Sequence, residues 1–177
     1  IDLDGEAADD ESGTSVSISS NGNTVAIGAP NNDGAGSDAG HVRVYEWSGS
    51  AWAQKGADID GEAAGDESGY SVSINSDGNT IAIGAPENGF NGQTRVYEWS
   101  GSAWIQKGAD IDGETSTDKS GRSVSISSDG NTLAVGAPWN SGSGNQAGHA
   151  RVYKWTGSTW SQTGADIDGE RPYDESG

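Results

Sequence analysis

One stretch of this chain is written three times, and that repetition limits its possible folds more than any other feature. SVSISSNGNTVAIGAP at 15–30, SVSINSDGNTIAIGAP at 71–86 and SVSISSDGNTLAVGAP at 123–138 are near-copies. Each is followed by R-V-Y, a pair of tryptophans and then GADIDGE. The glycines ahead of the copies, Gly13, Gly69, Gly121 and Gly177, are spaced 56, 52 and 56 residues apart. The short spacing comes from one loop, because Pro30 to Arg43 spans 13 residues, Pro86 to Arg95 spans 9 and Pro138 to Arg151 spans 13. A length change confined to one loop marks a surface excursion on a fixed scaffold. Self-similarity at such a period signals units that bury their apolar faces only against their neighbours. The organisation expected is a linker at 1–12, repeats at 13–68, 69–120 and 121–176, and the start of a fourth repeat's linker at 165–177. Ile1 falls inside the linker motif, as expected of a processed or excised segment.

Each unit holds four strand-like runs. In the middle copy the first is S-V-S-I, and a Ser76-Asp77-Gly78-Asn79 turn follows it. Asp-Gly between alternating runs is a strong hairpin signal. The second run is T-I-A-I-G-A-P, the third T-R-V-Y-E-W, and the fourth A-W-I-Q-K-G-A-D after a Ser-Gly-Ser turn. No apolar period of 3.6 residues is present, so no helix is expected. Four short antiparallel strands in 52–56 residues match one propeller blade, for which known periods run from about 40 to about 50.

Composition narrows the partners. Lys and Arg number 9 against 27 Asp and Glu, for a formal charge of -18. Nucleic acid and anionic membrane surfaces demand basic patches, so neither is expected as a partner. No apolar run approaches the roughly 20 residues of a membrane span. With no cysteine, disulfides and thiol chemistry are excluded. Hydrophobic content of 31% is low, but the β-branched runs and seven tryptophans point to a folded chain.

The run SGYSVSINSDGNTIAIGAP resembles an FG-GAP repeat, the blade unit of integrin α-subunit propellers and of many microbial surface proteins. Gly28-Ala29-Pro30, Gly84-Ala85-Pro86 and Gly136-Ala137-Pro138 match the second half of that motif, and Gly13, Gly69 and Gly121 match the glycine of FG. Serine replaces the motif's phenylalanine at Ser12, Ser68, Ser120 and Ser176, and the family's long calcium loop is cut to SSNGN, NSDGN or SSDGN. The resemblance implies an all-β fold of four-stranded antiparallel propeller blades. With three repeats the segment is expected to be a propeller fragment, an open propeller or one closed by oligomerisation, since propellers close with about four to eight blades. It also implies a non-enzymatic extracellular module for adhesion or recognition of a protein or glycan ligand at the cell surface. The alternative is a structural subunit of an extracellular filament or sheath that self-associates through blade edges.

The linker D-I-D-G-E-x-x-x-D repeats with its acids in register. Asp58, Asp60, Glu62 and Asp66 stand in one copy, and Asp110, Asp112, Glu114 and Asp118 in the next. Asp2, Asp4, Glu6, Asp10 and Asp166, Asp168, Glu170, Asp174 complete the series. Carboxylates clustered around a turn glycine suit an oxygen-rich calcium site, so calcium is the candidate cofactor. The other reading makes these acids turn formers that hold the crossing between blades, with Glu62 bonding N–H groups of the next blade. Asp77 and Asp129 read as hairpin formers. Repetition in every unit argues against catalysis.

Two tryptophans flank each S/T-G-S turn: Trp47 and Trp52, Trp99 and Trp104, Trp155 and Trp160. They read as a cross-strand aromatic pair, or alternatively as a sugar-stacking platform with Trp52, Trp104 and Trp160 as ligand residues. The loops 31–40, 87–93 and 139–148 are the least repeated parts, and their unmatched Phe90 and Trp139 are the other ligand candidates. His41 and His149 occupy equivalent positions, with Thr94 in the third. Without cysteine or a second nearby histidine, zinc is not expected there.

Overall fold

The computed structural model describes residues 2–177, and Ile1 lies outside them. The first sheet contains β1 (Ser15–Ile18), β2 (Thr24–Ala29), β3 (His41–Trp47), β4 (Trp52–Gln54) and β5 (Ile59–Asp60). The second contains β6 (Ser71–Ile74), β7 (Thr80–Ala85), β8 (Gln93–Trp99), β9 (Trp104–Gln106) and β10 (Ile111–Asp112). The third contains β11 (Ser123–Ile126), β12 (Thr132–Ala137), β13 (His149–Trp155), β14 (Trp160–Gln162) and β15 (Ile167–Asp168). All pairings between strands are antiparallel. The three sheets stack as an open series of blades.

Four strands per blade are present, but the outermost is broken. In the first blade β4 pairs with the end of β3 (Tyr45 opposite Gln54, Trp47 opposite Trp52), and β5 pairs with its start (His41 opposite Asp60, Val42 opposite Ile59). The run expected as one strand up to Asp110 therefore ends at Gln106, and the sheet resumes at Ile111–Asp112 inside what reads as linker. Gly56, at φ +86°, turns the chain out between the two pieces. A Cβ there would lie 2.7 Å from the Trp99 ring of the next blade, so only glycine lets the excursion pass. One 3-10 turn, Asn88–Phe90, is the sole helical element among the described residues.

The core lies between blades rather than within one. Ala26, Val42, Val44 and Ile59 on the trailing face of the first sheet meet Val72, Ile74, Ile81 and Ile83 on the leading face of the second. Ala82, Val96 and Ile111 meet Ile126, Leu133 and Val135 in the same way at the second junction. Alternation along each strand produces this division, because successive side chains point to opposite faces. The leading face carries the large branched residues and the trailing face of β2 and β7 carries alanine. The glycine of G-A-P is a contact point: a Cβ at Gly84 would lie 1.8 Å from the Gly121 carbonyl oxygen. Ser71 Oγ donates to that same oxygen at 2.7 Å, and Ser15 Oγ to the Gly69 carbonyl at 2.6 Å.

Candidate functional site

The loop before the third strand of each blade is clasped by the linker that follows the blade. The N–H of Gly61 donates to the Gly40 carbonyl and that of Ser68 to Ala39. Gly113 and Ser120 do the same to Gly92 and Asn91, and Gly169 and Ser176 to Gly148 and Ala147. The short loop of the second blade keeps both bonds, so the loops differ in their tips and share the anchor.

Asp66 and Asp118 shape the clasp. Both are buried, at 4% and 1% exposure. Asp66 Oδ2 accepts the N–H groups of Glu62 and Ala63, at 3.1 and 2.8 Å. Asp118 accepts the N–H and hydroxyl of Thr115, and Asn140 Nδ2 donates to it at 3.0 Å. Asp10 accepts from Ala7 and Asn32 in the same manner. Each carboxylate thus accepts N–H groups three or four residues back in its linker, and Asp10 and Asp118 tie that turn to a loop through Asn32 and Asn140. The remaining linker acids have other partners. Asp58 and Asp110 accept from Gln54 and Gln106, and Asp112 lies 3.5 Å from Gln93 Nε2. Asp60 is exposed, and its carbonyl accepts Arg95 Nη2 at 2.7 Å. Glu62 faces Arg95 Nη1 at 3.7 Å rather than the backbone, and Glu114 pairs with Arg151. Asp77 and Asp129 accept N–H groups within their hairpins at 2.9 and 3.0 Å.

Phe90 is 79% exposed and has φ +81°; Tyr173, 64% exposed at φ +66°, is the other exposed aromatic in that backbone region. Asp38 and Gln146 hold the same position, three residues ahead of the third strand, at φ +51° and +50°. Aspartate tolerates the left-handed region, whereas a bulky side chain there is strained. The Phe90 carbonyl accepts the Thr117 N–H, and Asn91 Nδ2 donates to the Gly113 carbonyl at 2.7 Å, so the strained residue is fixed in place. Trp139, the other unmatched loop aromatic, is half-buried with Lys119 Nζ 5.3 Å from its ring centroid.

Trp52, Trp104 and Trp160 each pair across the turn with Trp47, Trp99 and Trp155, ring centroids 5.3–5.5 Å apart. At the two internal junctions the pair receives a buried lysine from the preceding blade: Lys55 lies 5.5 Å from Trp99 and Lys107 5.6 Å from Trp155. Sequence reasoning overlooked both lysines. The signal was there, since Q-K-G-A-D precedes the second and third blades and Q-T-G-A-D follows the third.

A second feature was invisible in the sequence. Among the described residues, two groups of three metal-capable side chains have ligand atoms within 4.8 Å of one another: Glu6, His41 and Asp58, and Glu114, His149 and Asp166. Each joins the acid of the preceding linker, the first residue of a third strand and an acid just before the broken outer strand resumes. Arg151 Nε and Nη2 grip Asp166 at 2.9 and 2.7 Å, and hold its carboxyl below the usual carboxylate range.

The FG-GAP repeat model matches residues 2–45 and 109–153, about half of the chain. The chain belongs to the FG-GAP repeat family. Its middle repeat, between the two matched segments, carries the same G-A-P signature. No curated protein matches the chain in sequence. Among solved structures it is similar to Sqt1 of Saccharomyces cerevisiae, with TM-score 0.57 and 14% identity over 92% of this chain and 37% of that one. It is also similar to hydrazine synthase of Kuenenia stuttgartiensis, with TM-score 0.55 and 15% identity over 87% and 36% of the two chains. A third is the periplasmic gluconolactonase of Pseudomonas aeruginosa, with TM-score 0.55 and 14% identity over 81% and 39%. The chain thus spans less than two-fifths of the length of each of these. At such identities the likeness speaks to fold alone. Among the described residues no helix is long and apolar enough to cross a membrane.

Proposed function

We propose that this FG-GAP chain is a non-enzymatic recognition and adhesion module that works outside the cell. In this reading it takes a protein or glycan ligand on the loops ahead of the third strands. Phe90 carries the reading. A large apolar ring held in a strained backbone conformation, 79% exposed and anchored on both sides, is costly for folding and suited to contact. Membership of the FG-GAP family supports the extracellular setting, and the charge of -18 suits a saline exterior. The activities of the hydrazine synthase and the gluconolactonase belong to those proteins. Calcium is not required by this reading, because Asp66 and Asp118 already bond backbone N–H groups. The test is a glycan array and a panel of immobilised secreted-matrix proteins, probed with the chain and with Phe90→Ser. The expected result is a ligand whose affinity falls at least about tenfold in the variant, with a melting temperature that does not fall. A ligand held equally tightly by both, or none for either, overturns it.

A second reading, assembly through blade faces, is favoured by one contrast. Val16 and Ile18 are 64% and 59% exposed, whereas their counterparts Val72 and Ile74 are 9% and 7% exposed. Ile167 at the other end is 59% exposed, against 5% for Ile59 and 6% for Ile111. Both end faces therefore present what the internal junctions bury. Light scattering of the purified chain tests this: a mass that rises with concentration in the wild type and not in Val16→Ser/Ile18→Ser supports it, and a constant single-chain mass overturns it.

A further inference from the structure

We propose that the first and third blades each carry a site for a divalent metal of the borderline class, such as zinc, cobalt, nickel or copper. The sites are built by Glu6, His41 and Asp58 and by Glu114, His149 and Asp166. The observation that points to a ligand is His149. It is 3% exposed, yet its Nδ1 has no hydrogen-bond partner and looks at Asp166 Oδ2 from 3.6 Å. A buried ring nitrogen without a partner is costly unless something binds it. In the first blade His41, 1% exposed, holds Nδ1 3.9 Å from both Glu6 Oε2 and Asp58 Oδ2.

The geometry suits a small ion. Tetrahedral zinc, with bonds of about 2.0–2.1 Å, separates its donors by about 3.3 Å, so the histidine contacts at 3.6–3.9 Å need a small contraction and the widest donor pairs, within 4.8 Å, a larger one. An imidazole with two carboxylates matches this class, whereas calcium takes about six to eight oxygens. Three protein ligands leave one position open to water or a ligand atom. Gln54 and Gln162 donate to Oδ1 of Asp58 and Asp166 and orient both carboxylates. The two sites differ through arginine. Arg43 Nη2 donates to the Asp4 carbonyl, and Nη1 approaches Glu6 only at Oε1, 3.8 Å away, leaving Oε2 to the site. Arg151 occupies both oxygens of Asp166, so the third-blade site binds more weakly. The second blade is an internal control: Glu62 and Asp110 are in place, but Gln93, opposite Ala85 as His41 is opposite Ala29, stands where the histidine would be, and Thr94, the residue expected there from the sequence, is one position further on.

The experiment is calorimetric titration of zinc chloride into the whole chain after chelator treatment. Two sites are expected, with His41→Gln removing the tighter and His149→Gln the weaker. These are the chain's two histidines, so nitrogen NMR of the wild-type imidazoles gives a readout that no misfolded variant can confuse. Zinc should shift Nδ1 of both rings. Unmoved ring nitrogens overturn the proposal. So does zinc uptake that survives in the double variant, or that a tenfold excess of calcium displaces, since either assigns the binding to carboxylates alone.

Discussion

The indole Nε1 of Trp104 donates to the backbone carbonyl of Lys55 across the junction between the first two blades, at 2.7 Å. The ammonium of the same lysine, 7% exposed side chain included, continues past the Trp99–Trp104 pair to the Gly78 carbonyl and Asn79 Oδ1, at 2.9 and 2.8 Å. Trp160, Lys107, Gly130 and Asn131 repeat the arrangement at the second junction. Apolar contact between sheet faces is non-directional. The lysine and indole bonds fix the position of one blade on the next.

Replacing Lys55 with methionine keeps the stem and deletes the charge, leaving the Gly78 carbonyl and Asn79 without their donor. A loss of about 1–3 kcal/mol is expected, read from the urea midpoint at unchanged slope. An unaltered midpoint would mean that the ammonium contributes nothing to the junction.

Gly56 and Gly164 separate backbone strain from crowding. Both have positive φ, +86° and +82°, but a Cβ at Gly56 would meet Trp99 at 2.7 Å, whereas nothing lies within 4 Å of one at Gly164. Gly164→Ala should cost about 1 kcal/mol, and Gly56→Ala distinctly more. Equal losses in thermal melts would sink the claim that the excursion is pressed under the next blade.

Asp118→Ala should destabilise the chain by about 2–3 kcal/mol, because the Thr115 N–H and Asn140 lose a charged acceptor in a buried place. Asp174→Ala, at an exposed position in the last linker, should cost much less. Comparable unfolding midpoints for the two variants would refute the clasp.

Much of this was legible in the sequence, and the limits have a physical cause. The Asp77-Gly78 and Asp129-Gly130 hairpins, the tryptophan pairs and the four strands are set by neighbours within about ten residues, so local chemistry reveals them. Phe90 was visible as an unmatched residue, but its strain was not, because φ is decided by the loop's anchorage to Gly113 and Thr117. The linker acids showed their register without their partners: Arg95 reaches back to Glu62, and Asp166 forward from Arg151, across distances in the chain that the fold alone bridges. His41 looked isolated for the same reason. Its carboxylate neighbours lie in two different linkers.

The Arg151–Asp166 pair predicts a pH dependence with a definite sign. The arginine lowers the folded-state carboxyl pKa of Asp166, so its contribution is present above the unfolded carboxylate range and is lost as pH falls through the lowered folded value. With chelator present to exclude metal, the melting-temperature gap between the wild type and Asp166→Asn should be constant near neutrality. It should shrink below about pH 4. A gap that persists in acid would show that the hydrogen-bonding shape, rather than the charge, holds Arg151.

The third blade departs from the others where a fourth would dock. Glu46 and Glu98 lie 3.7 Å from Lys55 and Lys107, but the third copy has Lys154 and Thr163 at those two positions. Its trailing face thus lacks the lysine that would enter a following Trp pair. In the proposed assembly, head-to-tail contact between copies would therefore lack the lysine–tryptophan link of the internal junctions, although the exposed Val16, Ile18 and Ile167 are retained. Lys154→Glu/Thr163→Lys restores the missing pair and should strengthen self-association by at least about tenfold, worth about 1.4 kcal/mol, in sedimentation equilibrium. Trp52→Ala added to that variant should abolish the gain. If the double substitution leaves the mass distribution unchanged, the lysine does not select which blade faces meet, and apolar burial alone governs the junction.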